Sequence, residues 1–233
     1  ARKWLSVKKN VRGKNTKAMY NNIIDKHLAI LEDMRLTDIR NSHFQLVINS
    51  AVDKPRTCQQ IYITFNQIIR MAVTDNLIGA GMAESITRDI SLPTLVKREK
   101  RPLNDTEKGA YKDCMESGVF TDREKAFLLL IYYTGMRRCE ALALTVFDFK
   151  FQSGQSTVSI TKDLIFDKNN PEIVMMTKTE HGFRTNPLPD IAADYLKGYI
   201  RSLNGTNLFP CKTGSLITKS SYDKMWASIV RKM

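Results

Sequence analysis

The run Ala126-Phe127-Leu128-Leu129-Leu130-Ile131-Tyr132-Tyr133 constrains this chain more than any other stretch. Wound into a helix, it is apolar on every side, so other elements must enclose it. It is far shorter than the roughly 18 residues of a membrane span. Thr121-x-x-Glu124 just before it is a capping box, and Thr134-Gly135 after it suits a helix C-cap. An enclosed helix implies a layered domain around one core. The 233-residue length allows one to two such domains.

On the N-terminal side everything reads as helix. Asn15 or Thr16 is placed to cap a helix carrying Met19, Tyr20, Ile23, Ile24, His27, Leu28 and Leu31 at amphipathic spacing. Asp38 or Asn41 opens a second segment with Phe44, Leu46, Val47 and Ile48, broken at Lys54-Pro55. Thr57 caps a longer helix to Thr74, and a short one covers Gly81–Arg88. Residues 91–103, with Pro93, Pro102 and a basic knot, read as an exposed interdomain linker. Asn104-x-x-Glu107 then opens a new helix.

Past Leu144 the pattern changes. Phe147–Phe151, Thr157–Thr161, Ile173–Thr177 and Arg184–Leu188 are rich in β-branched and aromatic residues or extended, with turn-forming stretches between them. They predict a small antiparallel sheet. Asp163–Glu172 reads as an insertion without assigned function. Helices resume at Asp190–Ser202 and Ser220–Lys232. Tyr195 and Tyr199, four apart on an amphipathic helix, are expected to pack, and Tyr222 near a helix start is expected to be structural.

The charge is uneven. The formal net charge is +12, of which +9 lies in residues 1–101. Arg2, Lys3, Lys8, Lys9, Arg12, Lys14 and Lys17 fall in the first twenty residues without an acid, and Lys97-Arg98-Glu99-Lys100-Arg101 forms a second cluster. Two basic clusters bracketing one helical region favour phosphate contacts, because each neutralised phosphate releases counterions. A polyanion, nucleic acid first, is the expected partner. The scattered cysteines (Cys58, Cys114, Cys139, Cys211) form no CxxC pair, against a zinc finger or disulfide scaffold and in favour of a reducing cytosol. No apolar stretch follows the N-terminal basic residues, so a secretory signal is not expected. A generic RNA-binding protein is disfavoured, since no aromatic-rich strand pair is present.

On the helix after Pro55, Gln59, Ile63, Asn66 and Arg70 share the face opposite Ile61, Phe65, Ile68 and Ala72, at about 100° per residue. Gln, Asn and Arg suit base edges in a major groove. A plain solvated face is the competing reading.

Two segments carry the chemistry. In Thr134-Gly135-Met136-Arg137-Arg138-Cys139-Glu140-Ala141-Leu142, an arginine follows a glycine turn and Glu140 lies three residues beyond it. A guanidinium fork suits phosphate oxygens, and a nearby carboxylate would orient it. A structural Arg–Glu pair closing a helix junction explains the same spacing. In Thr177-Lys178-Thr179-Glu180-His181-Gly182-Phe183-Arg184-Thr185-Asn186-Pro187-Leu188-Pro189, Lys178 lies near a hairpin tip. Its ammonium is either a general acid or an ordinary surface charge.

Together these segments resemble the tyrosine recombinases, the phage-integrase type of DNA strand-exchange enzyme. The first resembles that family's arginine box and the second its lysine hairpin, closed by Arg-x-x-Pro-Leu. The resemblance implies an N-terminal all-α core-binding domain of SAM-like four-helix type (1–92), a basic linker (93–103) and a mixed α+β catalytic domain (104–233). The catalytic domain would be mainly helical with a small antiparallel sheet. It implies that Arg137 contacts the scissile phosphate, that Glu140 supports it, and that Lys178 is the acid for the leaving 5′-hydroxyl. No metal or other cofactor is implied, because a 3′-phosphotyrosine keeps the bond energy. Implied partners are double-stranded attachment or core sites and a synaptic tetramer, with the two domains clamping a duplex, in a bacterial cytoplasm and without a membrane. DNA contacts fall to Lys8, Lys9, Arg12, Lys14, Lys17, Gln59, Asn66, Arg70, Lys97, Arg98, Lys100, Arg101 and Arg138.

The family's His-x-x-Arg box and tyrosine nucleophile are expected after the last helix, so the chain reads as truncated, monomeric in solution and unable to cleave. His181-Gly182-Phe183-Arg184 matches that box in letters but lies within the hairpin. A DNA-binding regulator on the same fold, without chemistry, is the alternative.

Overall fold

The computed structural model describes residues 1–9, 13–96, 101–175 and 183–233. The chain forms two compact units, Ala1–Lys100 and Arg101–Met233.

The first unit holds α1 (Arg2–Lys9), α2 (Lys14–Asn22), α3 (Asn41–Asn49), α4 (Pro55–Thr74) and α5 (Ala80–Thr87). Gly13, in extended conformation, precedes α2, and neither Asn15 nor Thr16 caps it. The apolar stripe foreseen there is real, but α2 continues into a π-helical turn, Ile23–His27, and a 3-10 turn, Ala29–Leu31. These changes of winding keep Ile23, Ile24, Leu28 and Leu31 buried. Thr57 is likewise not a cap: α4 begins at Pro55, whose fixed φ and missing N–H suit the first helical position. Ile61, Phe65, Ile68 and Ala72 of α4 are buried as the wheel predicts, and Phe65 stacks on Phe44 of α3 at 3.9 Å. Trp4 meets Tyr20 edge-on at 4.9 Å, joining α1 to α2.

The second unit contains α6 (Asp105–Glu116), α7 (Asp122–Thr134), α8 (Arg138–Leu142), α9 (Asp190–Arg201) and α10 (Lys219–Lys232). Both capping boxes form. Glu107 N–H donates to Asn104 Oδ1 at 2.8 Å and Asn104 N–H returns to Glu107 Oε2 at 2.9 Å. Thr121 N–H likewise donates to Glu124 Oε2 at 2.9 Å. Ala126–Leu130 of α7 are buried as the apolar run requires, with Phe127 edge-on to Phe209 at 5.6 Å. The last turn departs from the expectation: Tyr132 and Tyr133 reach the surface.

Glu124 is buried and also accepts from Lys232 Nζ at 2.6 Å. Burial pushes its carboxyl up, but hydrogen bonds from Lys232, Ser228 and Thr121 outweigh that and hold it at about 2. The folded value lies below the unfolded one. Its contribution to stability is therefore complete above about pH 4.5 and is lost as pH falls towards 2. Removing a charged hydrogen-bond donor costs about 1.5 kcal/mol. Lys232→Met should lower stability at pH 7 by that amount and move the acid unfolding midpoint upward, as read by circular dichroism against pH. An unmoved midpoint would assign the shift to the other donors.

The β structure is two sheets, not one. β1 (Phe149–Lys150), β2 (Thr157–Ile160) and β5 (Arg184–Pro187) form an antiparallel sheet in the order β1-β2-β5. β3 (Lys162–Asp167) and β4 (Asn170–Met175) form a separate antiparallel pair. The stretch Asp163–Glu172, expected to be an insertion, is most of that hairpin. It turns at Lys168, whose φ is +56°, and it buries Leu164. Phe147, expected in a strand, lies in a 3-10 turn, Val146–Asp148.

Candidate functional site

The site begins where α7 stops. Gly135 adopts the left-handed conformation (φ +61°), which a side chain disfavours, and its N–H closes the helix on Ile131 O at 3.0 Å. Met136 turns into the core. Arg137 is then extended and serves as the N-cap of α8, so Glu140 falls at the third helical position. A carboxylate there reaches back to the cap: Arg137 N–H donates to Glu140 Oε2 at 2.7 Å. Arg137 Nη1 donates to Glu140 Oε1 at 2.8 Å. The two side chains are unlike in exposure, Arg137 at 79% and Glu140 at 1%.

A second arginine completes the cluster. Arg184, at the start of β5, donates from Nη2 to Glu140 Oε2 at 2.5 Å and from Nη1 to Oε1 at 3.3 Å. Asn186, two residues on and on the same strand face, donates to Thr134 O at 2.8 Å. The register on β2, Ile160↔Arg184 and Val158↔Asn186, fixes both. One strand therefore holds both ends of the glycine turn. Burial pushes the Glu140 carboxyl up, but hydrogen bonds from Arg184 and then Arg137 outweigh it and leave it below its ordinary value. It is ionised at neutral pH.

Neighbouring groups brace the cluster. Arg138 is exposed, its guanidinium 5.5 Å above the Tyr222 ring. Lys162 Nζ meets Asp148 Oδ2 at 2.8 Å and Thr145 Oγ1 at 3.2 Å, joining β3 to the exit of α8. Neither Arg184 nor Lys162–Asp148 was singled out by sequence as part of the site. For Arg184 a signal existed in Arg-x-x-Pro-Leu; for the Lys162–Asp148 pair none did.

The other expected site residues are distributed as follows. Lys178 lies outside the described residues, as do Arg12, Lys97, Arg98, Lys100 and the side chain of Lys9. Lys8, Lys14 and Arg70 are exposed and Lys17 is half-buried. On α4, Gln59 accepts from Arg56 at 3.2 Å, and Asn66 is half-buried and donates to Tyr62 O at 2.9 Å. Both Nη nitrogens of Arg101 lie 2.7 Å from Glu107, whose carboxylate faces it from the first turn of α6. Tyr199 and Tyr222 are buried, with Tyr199 Oη donating to Leu208 O at 3.0 Å, and Tyr195 Oη donates to Asp122 at 2.8 Å. Among the described residues no group of three or more His, Cys, Asp or Glu is placed to hold a metal ion, and no helix is long and apolar enough to cross a membrane.

The model of the phage integrase family matches residues 110–233. No curated protein sequence matches the chain. Among solved structures, the Tn1549 transposon integrase in complex with transposon right end DNA is similar with a TM-score of 0.77 and 16% identity, over 99% of this chain and 77% of that one. The same integrase with a circular intermediate DNA gives 0.75 and 16%, over 98% and 76%. A lambda integrase tetramer bound to a Holliday junction gives 0.69 and 15%, over 99% and 66%. At such identities the likeness is one of fold, whereas the family model covers more than half of the sequence. The chain belongs to the phage integrase family, the tyrosine recombinases.

Proposed function

We propose that this chain binds double-stranded DNA and serves site-specific recombination, with Arg137 contacting a backbone phosphate. One observation carries this reading: Arg137 leaves a rigid glycine turn with an exposed guanidinium while a buried carboxylate fixes its base. Such a preorganised cation suits charge on phosphate oxygens. Family membership supports it, as do the DNA complexes of the similar integrases. Lys178 takes the role of proton donor to a leaving 5′-hydroxyl, and a tyrosine hydroxyl that of nucleophile. In the helical unit the α4 face of Gln59, Asn66 and Arg70 turns towards the groove. On DNA the protein assembles as a tetramer.

The binding and packing of Tyr195, Tyr199 and Tyr222 favour a second reading, in which this chain binds without chemistry. A titration of the 233-residue chain on a labelled duplex across salt concentrations, followed by a denaturing gel, tests both. The expected result is steeply salt-dependent binding, with the slope of Arg137→Ala smaller by about 1 and no covalent adduct through those three tyrosines. Absence of DNA binding would overturn the proposal. An adduct would remove the second reading.

A further inference from the structure

The Glu140 cluster holds one carboxylate and two guanidiniums, and the two arginines are not equivalent. Arg184 directs both Nη nitrogens at Glu140 and is 29% exposed. Arg137 directs one Nη at it and is 79% exposed. A guanidinium carries five N–H donors, so most of Arg137's fork faces solvent. With Glu140 and Arg137 alone, the pair would be neutral and its attraction for a phosphate weak. A buried carboxylate facing one partner would also draw that partner inward, because its desolvation is offset only by close pairing. Arg184 supplies the missing charge from the sheet side. The cluster then sums to +1, carried on the side chain that reaches out.

We propose that Arg184 is a positioning residue: it neutralises Glu140 so that the charge and outer N–H groups of Arg137 remain free for a DNA phosphate. This rests on the reading of Arg137 as a phosphate contact. Arg184 does not touch DNA in this arrangement; it acts through Glu140. Asn186 on the same strand keeps the glycine turn in register with it.

The test is a double-mutant cycle on DNA binding. The probe is a 30-base-pair duplex selected from a random pool by the wild-type 233-residue chain, and affinity is measured against salt. Arg137→Ala should lose about tenfold in affinity and about 1 in salt slope. Arg184→Met should lose about the same on both measures, and Arg137→Ala/Arg184→Met should be no worse than either single variant. Arg184→Lys, which keeps the charge but loses the bidentate fork, should recover part of the loss and bind more tightly than Arg184→Met. Should Arg184→Met fail to fold, as judged by its thermal melt, Arg184→Gln carries the same comparison. An Arg184→Met (or Arg184→Gln) with unchanged slope overturns the inference. So does additive loss in the double variant, about a hundredfold, which would make Arg184 an independent contact. So does an Arg184→Lys as impaired as the neutral variant, which would make the role one of shape. If Arg137→Ala itself changes nothing, the phosphate reading of the site falls.

Discussion

Glu140→Gln is expected to destabilise the second unit by about 3 kcal/mol, lowering its melting temperature by roughly 10 °C. The substitution keeps the side-chain shape and removes the charge and one acceptor oxygen. The carboxylate is 1% exposed and accepts from the Arg137 backbone and from two guanidiniums. An amide offers one oxygen to four N–H donors and turns its own N–H₂ towards a guanidinium. Breaking a buried pair costs 3–5 kcal/mol when an unpaired charge stays buried. Here the stranded arginines are partly exposed and reach water, which places the loss at the low end. Linkage gives a second readout. Glu140 titrates below its ordinary value, so its stabilisation is present above about pH 4.5 and fades as pH falls. Wild type and variant should therefore converge in stability under acid, followed by thermal melts from pH 7 downward. A constant gap at every pH would mean that the lost acceptor oxygen, not the charge, holds the turn.

The same cluster shows which parts of the site are visible in a sequence. Arg137 and Glu140 are three residues apart, and local helix geometry is enough to pair them. Gly135 announces its turn for an equally local reason: its left-handed φ favours a residue without a side chain. Arg184 is 44 residues from Glu140 and arrives through the register of β5 on β2. A one-residue slip would turn it to the other face, and nothing local in the sequence sets that register. The β3–β4 hairpin was hidden differently. Asp163, Asp167, Asn170, Pro171 and Glu172 are poor strand residues, and they mask the alternation around Leu164, whose side chain is fully buried. The helical first unit was legible in its stripes but not in its boundaries. Gly13 and Pro55, not Asn15, Thr16 or Thr57, stand at the starts of α2 and α4.

Phe127→Ala should cost about 4 kcal/mol, the largest loss expected from a single change in the second unit. Phe127 has no solvent exposure. Its ring meets Phe209 at 5.6 Å and 86° and Tyr222 at 6.0 Å and 64°, both edge-to-face. Each such contact adds about 0.5–1.5 kcal/mol beyond area burial. The cavity is bounded by aromatic rings that resist collapse, which places the loss in the upper part of the range for this substitution. Against a total stability of about 5–15 kcal/mol, much of the unit's margin disappears. The effect also reaches the site. Tyr222 underlies Arg138, and α7 ends in the turn that presents Arg137. A cavity under Phe127 therefore loosens the support on which Arg137 is held. Denaturant unfolding should give a midpoint shift with an unchanged slope, and Phe127→Leu should recover most of the loss. A cost under about 2 kcal/mol would show that Phe209 and Tyr222 move in to fill the space. The helix first read as enclosed on every side would then be supported by its remaining apolar residues, not by this ring.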